Sequence, residues 1–437
     1  MKSNTTLSNV SIAIIMLIMT IVSSNLNWGK DHWKGIIQSD GKGYYAYLPA
    51  VFIYNDLNFE FFDKVEREKY YDENLYYDYR SSSNGKIINK YYCGTALAEM
   101  PFFFIAHLSS YLMGYELDGY SKLYPILINI AALFYLLAGL LYLNLSLKSY
   151  NVKDWQRSLT LFATVFGTHL FYYVVGEPGM SHIYSFAFIS MFFYYSRLFF
   201  TSFQKTHILL LAISLGIIVL IRPINGIIVF ALPFAAGNFN ALKKGVITLF
   251  RHKLRLVSSI CAFLVVVSIQ LIIYKISTGS FFVYAYGDQR FNFLSPHIID
   301  ILFSYKKGLF LYTPLLLFSL TGGYFLWKSS QYEFYSWFGF FILITYIFSS
   351  WWMWFYGGSF SSRVYVEFIP LFMILLAISL NKIKLVLLKK LHILMVVLLI
   401  IVCQIQTYQY RYYEIHWSDM TKEKYWNVFM RVDKLIK

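Results

Sequence analysis

Apolar segments follow one another almost from end to end of this 437-residue chain, and its few charges fall in the gaps between them. A membrane span takes about 20 mainly apolar residues, because inside the bilayer a helix must satisfy its own backbone polar groups. Candidate spans run at about 7–26, 122–146, 158–175, 181–200, 206–221, 223–236, 256–275, 308–327, 332–350, 364–381 and 391–409. They predict an all-α polytopic membrane protein, a single integral membrane domain over 1–437 with about eleven transmembrane helices. Only 14% of the residues are charged, against roughly 25% in a soluble domain, which excludes an ordinary globular enzyme. The net charge of +15 does not point to nucleic acid, since the basic residues flank apolar runs. Cys93, Cys261 and Cys403 are scattered and form no disulfide or metal pattern. Residues 7–26 are read as a retained signal-anchor rather than a cleaved leader.

The segment 95–114 (TALAEMPFFFIAHLSSYLMG) decides the topology. Its uncharged stretch after Glu99 is short and holds Pro101 and His107, a pattern expected of an interfacial or re-entrant helix. If it stays on one side, most later basic clusters fall on the cytoplasmic side, as the positive-inside rule requires. These clusters are Lys148, Lys153 and Arg157; Lys205; Lys243, Lys244, Arg251, Lys253 and Arg255; Lys328; and Lys382, Lys384, Lys389 and Lys390. The expectation is therefore a protein of the cytoplasmic (inner) membrane, in contact with membrane lipids, with its N-terminus inside and its C-terminus outside. The outer side receives a large loop at 27–121, turns at 176–181 and 221–223, loops at 276–307 and 351–363, and a short tail at 410–437. Within the first loop, 59–71 (FEFFDKVEREKYY) reads as an amphipathic helix on the membrane surface, with Glu60–Lys64 and Asp63–Arg67 spaced four apart. No repeat of 20–50 residues is visible.

Candidate chemistry sits mainly on that outer side. Asp40, followed by Gly41 and Gly43, stands a few residues past the first span. A carboxylate there suits proton transfer from a hydroxyl, or it simply makes a turn with Gly41. The turn GEPGMSH (176–182) carries Glu177 and His182; an acid near membrane depth is costly and tends to be functional, although a solvated cap is the plain alternative. Arg222-Pro223-Ile224-Asn225 breaks two apolar runs. A run of about 16 residues reaches about 24 Å, short of a core of about 30 Å, so the break should lie below the outer surface in a protein-lined cavity. The Arg222 fork there fits phosphate oxygens, or the side chain snorkels to headgroups. The loop WWMWFYGGSFSSRVYVEF (351–368) combines aromatics with Arg363 and Glu367. Most of its rings read as an interfacial belt, and Arg363 with Glu367, four apart, reads as an ion pair. Lys306 and Lys307 either grip an anionic headgroup or flank a span, and His107 reads as structural. There is no Walker sequence, no GxGxxG after a strand, and neither an HEXXH nor a GxSxG element.

The order of these features resembles the GT-C superfamily of membrane glycosyltransferases, typified by protein O-mannosyltransferases and the lipid A aminoarabinose transferase. The likeness lies in Asp40 within a long first loop, the basic turn LKSYNVKDWQR, Glu177 in the next outer turn, the Arg222-Pro223 break, and the late element with Gly357, Gly358, Arg363 and Pro370. It spans roughly 7–380 through short motifs. The resemblance implies a GT-C-like fold with interfacial helices in the first outer loop. It also implies an inverting transfer of sugar from a polyprenyl-phosphate donor to a hydroxyl of a glycan, lipid or protein. In that scheme Asp40 is the base and Glu177 orients the acceptor or a divalent metal (Mg or Mn). Arg222, Arg363 and Lys42 hold the donor phosphate, and Tyr44, Tyr45, His182, Asn225, Trp354, Tyr356 and Glu367 line the substrate cavity. The chain departs from the pattern in its single early Asp, in Glu177-Pro178 where an Asp is common, and in lacking a sizeable C-terminal soluble domain. Metal dependence stays open on those grounds. Rival readings are a lipid-linked sugar flippase or transporter, a polysaccharide ligase or polymerase, and a non-catalytic assembly protein.

Overall fold

The computed structural model describes residues 6–70, 77–83, 85–202 and 204–435. Among them are nineteen α-helices, several 3-10 or wider turns, and one short hairpin, Arg80–Ser83 paired with Lys86–Asn89. The first eight helices are α1 (Leu7–Ser23), α2 (Asp40–Phe52), α3 (Gly94–Met113), α4 (Leu123–Ser149), α5 (Asp154–Phe166), α6 (Leu170–Val175), α7 (Ser181–Ser202) and α8 (Lys205–Ile221). Next come α9 (Leu232–Ala236), α10 (Phe239–Arg251), α11 (Lys253–Thr278), α12 (Ile298–Phe303), α13 (Leu309–Tyr312), α14 (Pro314–Ser319) and α15 (Thr321–Ser329). The last four are α16 (Gln331–Ser349), α17 (Ile369–Lys382), α18 (Val386–Arg411) and α19 (Lys422–Val428). The chain is thus a mostly helical, integral membrane protein. Seven helical segments among the described residues are long and apolar enough to cross a membrane: Leu7–Trp28, Gly94–Met113, Leu123–Ser149, Ser181–Ser202, Lys253–Thr278, Arg363–Lys382 and Val386–Arg411.

Several expected spans are broken, for local reasons. The stretch 158–175 divides into α5 and α6 around Gly167, whose backbone leaves the helical range (φ −98°, ψ 2°). The stretch 308–327 becomes α13, α14 and α15; Thr313 precedes Pro314 and is pushed out of the helical region (φ −130°, ψ 66°). Arg222 precedes Pro223 and is extended (φ −149°, ψ 112°), which ends α8 after 17 residues, about 26 Å. Residues 223–236 then run as the 3-10 helix Pro223–Ala231 and the short α9.

The segment 95–114, expected to be interfacial or re-entrant, lies in one continuous 20-residue helix, α3, unbroken by Pro101 and long and apolar enough to cross a membrane. Its two flanks are held by neighbouring tyrosines of α2. The Tyr47 hydroxyl donates to the Tyr91 carbonyl (2.6 Å) ahead of α3, and the Tyr45 hydroxyl donates to the Gly119 carbonyl beyond it. These groups belong to a largely aromatic core with Tyr44, Phe59, Phe62, Tyr79, Phe103, Tyr120 and Tyr124, separate from the main bundle core.

The amphipathic stretch also differs from expectation. It forms the wide-turned helix Phe62–Tyr70, and Tyr71 lies outside the described residues. Asp63 and Arg67 meet at 3.6 Å, whereas Glu60 precedes the helix and makes no pair with Lys64 among the described residues. Phe62 and Glu66 are buried against protein; Glu66 accepts hydrogen bonds from Tyr79 (2.5 Å) and Tyr120 (2.6 Å). Protein, not lipid alone, therefore covers this helix.

Side-chain contacts sort the helix ends into two faces. Asp154, opening α5, accepts from the Leu7 amide (2.6 Å) at the start of α1. Arg197, late in α7, reaches Ser149 at the end of α4 (2.8 Å), and Asn381 of α17 reaches the Asn151 carbonyl (3.2 Å). The basic turns cluster around these ends. At the opposite face Asn27 binds the Val175 carbonyl (2.7 Å), and Gln409 of α18 binds the Val428 carbonyl in α19.

Candidate functional site

The face opposite the basic turns gathers most of the polar residues singled out in the sequence. Asp40 opens α2 directly after Ser39, a non-glycine residue at φ +50°, ψ −133°. That is a strained conformation of the kind that persists where surroundings hold it in place. The next residue, Gly41, lies against the turn after α6: a Cβ there would stand 3.2 Å from the Gly179 carbonyl carbon and oxygen. The absence of a side chain lets the start of α2 dock backbone to backbone on the turn that carries Glu177.

Asp40 has both oxygens engaged. Arg363 Nη2 donates to one at 2.8 Å and the Tyr91 hydroxyl to the other at 2.7 Å, while the Tyr77 and Tyr91 hydroxyls meet at 2.5 Å. Burial by itself would raise the Asp40 carboxyl; the Arg363 guanidinium and the hydrogen bonds from Tyr91, Arg363 and Tyr77 outweigh it and hold the group below the ordinary carboxylate range. Asp40 is ionised throughout the physiological range.

A second pair lies beside the first. Glu367 is fully buried and accepts from Arg222 Nη1 (2.8 Å), His182 Nδ1 (3.1 Å) and Asn225 Nδ2 (3.4 Å); Asn225 also reaches Ser185 (3.1 Å). The expected Arg363–Glu367 pair does not form. Residues Arg363–Phe368 make a 3-10 helix, in which side chains three apart eclipse, so positions four apart do not align. Each residue turns instead to a partner far away in sequence.

Glu177 is buried, with the Tyr172 hydroxyl 3.3 Å from one oxygen and no partner on the other. Burial pushes its carboxyl up to about 7, with Arg363 opposing and Asp40 reinforcing the shift. Lys307 is buried as well and donates to the Ser359 carbonyl. Burial drives its ammonium down to about 7, with Glu177 opposing. Lys307 is thus enclosed by protein. Its neighbour Lys306 sits over the Phe355 ring at 3.6 Å.

Of the expected cavity residues, Tyr44 and Tyr356 lie within electrostatic range of both arginines. Tyr44 follows Asp40 by four, on the same helix face. Lys42 and Tyr45 depart from expectation for the same geometric reason. Two and five residues on, they point elsewhere around α2: Lys42 is buried within range of Glu66, and Tyr45 is buried in the aromatic core. Trp354 packs on His297 (ring centroids 5.7 Å). His107 holds Tyr124 through Nδ1 (2.7 Å), a structural contact. The sequence reading passed over Tyr77 and Tyr91. In a chain with 39 tyrosines, nothing in the local pattern marks those two.

Among the described residues no group of three His, Cys, Asp or Glu side chains is arranged to hold a metal. Both Asp40 oxygens already accept from a cation and a phenol, and the cationic Arg363 lies within electrostatic range of Glu177. This donor set fits a bound anion better than Mg or Mn. No family model matches the chain, and no curated protein is significantly similar to it.

Each arginine keeps donors beyond its carboxylate partner. A guanidinium has five N–H groups; among the described residues Arg222 spends its side-chain hydrogen bond on Glu367, and Arg363 Nε has no partner. Both are partly open, 17% and 15% exposed. The arrangement can receive an anion between two guanidinium groups, with an ionised carboxylate and a near-neutral one alongside.

Proposed function

We propose that this protein is a glycosyltransferase that moves a sugar from a polyprenyl-phosphate donor to an acceptor hydroxyl at the non-cytoplasmic face of the membrane. The carrying observation is the meeting of Asp40–Arg363 and Glu367–Arg222, partly open, on the face opposite the basic turns. The order of features shared with the GT-C superfamily supports the same reading. The donor phosphate binds Arg222 and Arg363, drawing Arg363 away from Asp40. The acceptor oxygen attacks the anomeric carbon from the side opposite the phosphate, and its proton passes to Asp40. The bond from anomeric carbon to phosphate oxygen breaks, and polyprenyl phosphate leaves with the electron pair, its charge held by the arginines. Glu177 orients the acceptor hydroxyl. The sugar's configuration inverts.

The topology that goes with this reading has about eleven crossings in a cytoplasmic membrane, N-terminus inside and C-terminus outside, counting the broken segments as crossings and α3 as not crossing. Cysteines placed at Lys90 and at the exposed Glu116 should both react with an impermeant thiol reagent from outside; labelling of the first alone would mean that α3 crosses.

Polyprenyl phosphate without sugar is the direct probe of the anion site. Its binding to purified protein should weaken at least tenfold in Arg222→Ala, roughly the contribution of a charge-assisted hydrogen bond. Unchanged affinity would remove the phosphate role. Movement of intact donor across proteoliposomes without cleavage would turn the reading to a flippase.

A further inference from the structure

One buried acid takes no part in the transfer described above. Glu99 lies on α3, fully buried, and makes no ion pair among the described residues. One of its oxygens is 2.9 Å from the Tyr184 hydroxyl of α7; the other has no partner. The same hydroxyl lies 3.2 Å from the carbonyl of Pro178, the residue after Glu177. Pro178 is buried, and Tyr184 is its carbonyl's only hydrogen-bond donor among the described residues.

The proton count decides the arrangement. A tyrosine hydroxyl has one proton and can accept as well as donate. If Glu99 were ionised, two acceptors would compete for that proton, and either a buried carboxylate or a buried carbonyl would go without, which is costly away from water. The neighbouring hydroxyl of Tyr135 on α4, whose ring lies 5.0 Å from that of Tyr184, is committed to the Ala98 carbonyl at 3.0 Å. Tyr184 and Tyr135, both neutral, are the titratable groups that α7 and α4 bring to Glu99.

We infer that Glu99 is an un-ionised carboxylic acid acting as a positioning residue. It donates to Tyr184, which passes its own proton to the Pro178 carbonyl and so fixes the turn that carries Glu177. The chain of bonds ties α3 through α7 to the candidate site. The role of that turn rests on the transferase reading; the protonated acid and its coupling to Tyr184 do not.

The test has two arms independent of activity. Infrared spectra of the purified full chain at neutral pH should contain a protonated-carboxyl stretch that disappears in Glu99→Gln. Thermal unfolding of Glu99→Leu, Tyr184→Phe and the double variant should be non-additive, the double losing little more than the worse single. A third arm reads donor turnover. Glu99→Gln, which keeps an N–H donor, should stay within about threefold of wild type, while Tyr184→Phe falls about tenfold, the usual worth of one hydrogen bond. A protonated-carboxyl band that Glu99→Gln leaves unchanged, or additive stability losses, overturns the inference even if the protein is a transferase. A wild type that fails to turn over donor while both spectroscopic and thermal arms hold overturns the transferase reading alone. If Glu99→Leu does not fold, Glu99→Gln and Tyr184→Phe supply the cycle.

Discussion

The two arginine–carboxylate pairs at the candidate site have the same 2.8 Å separation and very different surroundings. Glu367 is wholly enclosed and takes donors from three residues on two other segments, Arg222 with Asn225 and His182. The arginines are alike in exposure, so the difference lies in the carboxylates: Asp40 is 17% exposed and opens a helix behind a strained serine. A buried pair with several hydrogen bonds is expensive to break, because removing one partner strands the other charge. A pair near an opening exchanges partners at lower cost. The inner pair is therefore a frame that aims Arg222, and the outer pair is the one that a bound anion can reorganise.

The largest effect should come from the inner pair. Glu367→Ala leaves Arg222 and His182 without their common acceptor and should cost about 3–5 kcal/mol of stability. Thermal unfolding in lipid nanodiscs is the check, and a variant that melts with wild type would erase the distinction. Asp40→Asn should lose less, about 1–2 kcal/mol, since Tyr91 can still bond the amide and Arg363 keeps access to water. Equal losses in the two variants would mean that the outer pair is a frame as well.

The smallest effect is a pH dependence from Glu177. Its folded carboxyl titrates at about 7, above the ordinary 4.5, so between those values the folded chain keeps a proton that the unfolded chain has released. Stability from this group is full at low pH, falls as pH rises from about 4.5 to about 7, and is flat beyond. Lys307 acts in the opposite sense at higher pH: its ammonium titrates at about 7 when folded, against 10.5 ordinarily, so stability from it rises above about 7. Glu177→Gln should flatten the acid-side decline measured by unfolding midpoints at pH 5, 6 and 7. An unaltered decline would assign it to the other buried acids, Glu66, which burial also pushes to about 7, and Glu99.

The helical, membrane-embedded character was legible in the sequence because apolar length and the absence of charge are local properties, read within one segment at a time, but the breaks within 158–175 and 308–327 were not. The Arg222 break was legible too, since Pro223 constrains the residue before it whatever the tertiary structure. The pairing was not. Arg363 and Glu367 four apart read as partners only if their segment is an α-helix, and its 3-10 winding sends one to Asp40, 323 residues away, and the other to Arg222. Lys42 and Tyr45 looked like site residues by proximity in sequence to Asp40, yet the helix that begins at Asp40 rotates them away. The packing of α3 was not legible either, because its support comes from α2, α4 and α8, which lie elsewhere in the chain.

The account stands or falls on whether the outer pair does chemistry. Wild-type protein and Asp40→Asn, purified in nanodiscs, should be given a polyprenyl-phosphate sugar and a hydroxyl acceptor, and the release of polyprenyl phosphate followed. The carboxamide keeps the shape of the carboxylate but cannot take the proton. The account therefore predicts turnover by wild type and a loss of about 10²–10⁴-fold in the variant, with binding of polyprenyl phosphate retained. Equal rates in the two proteins would contradict it.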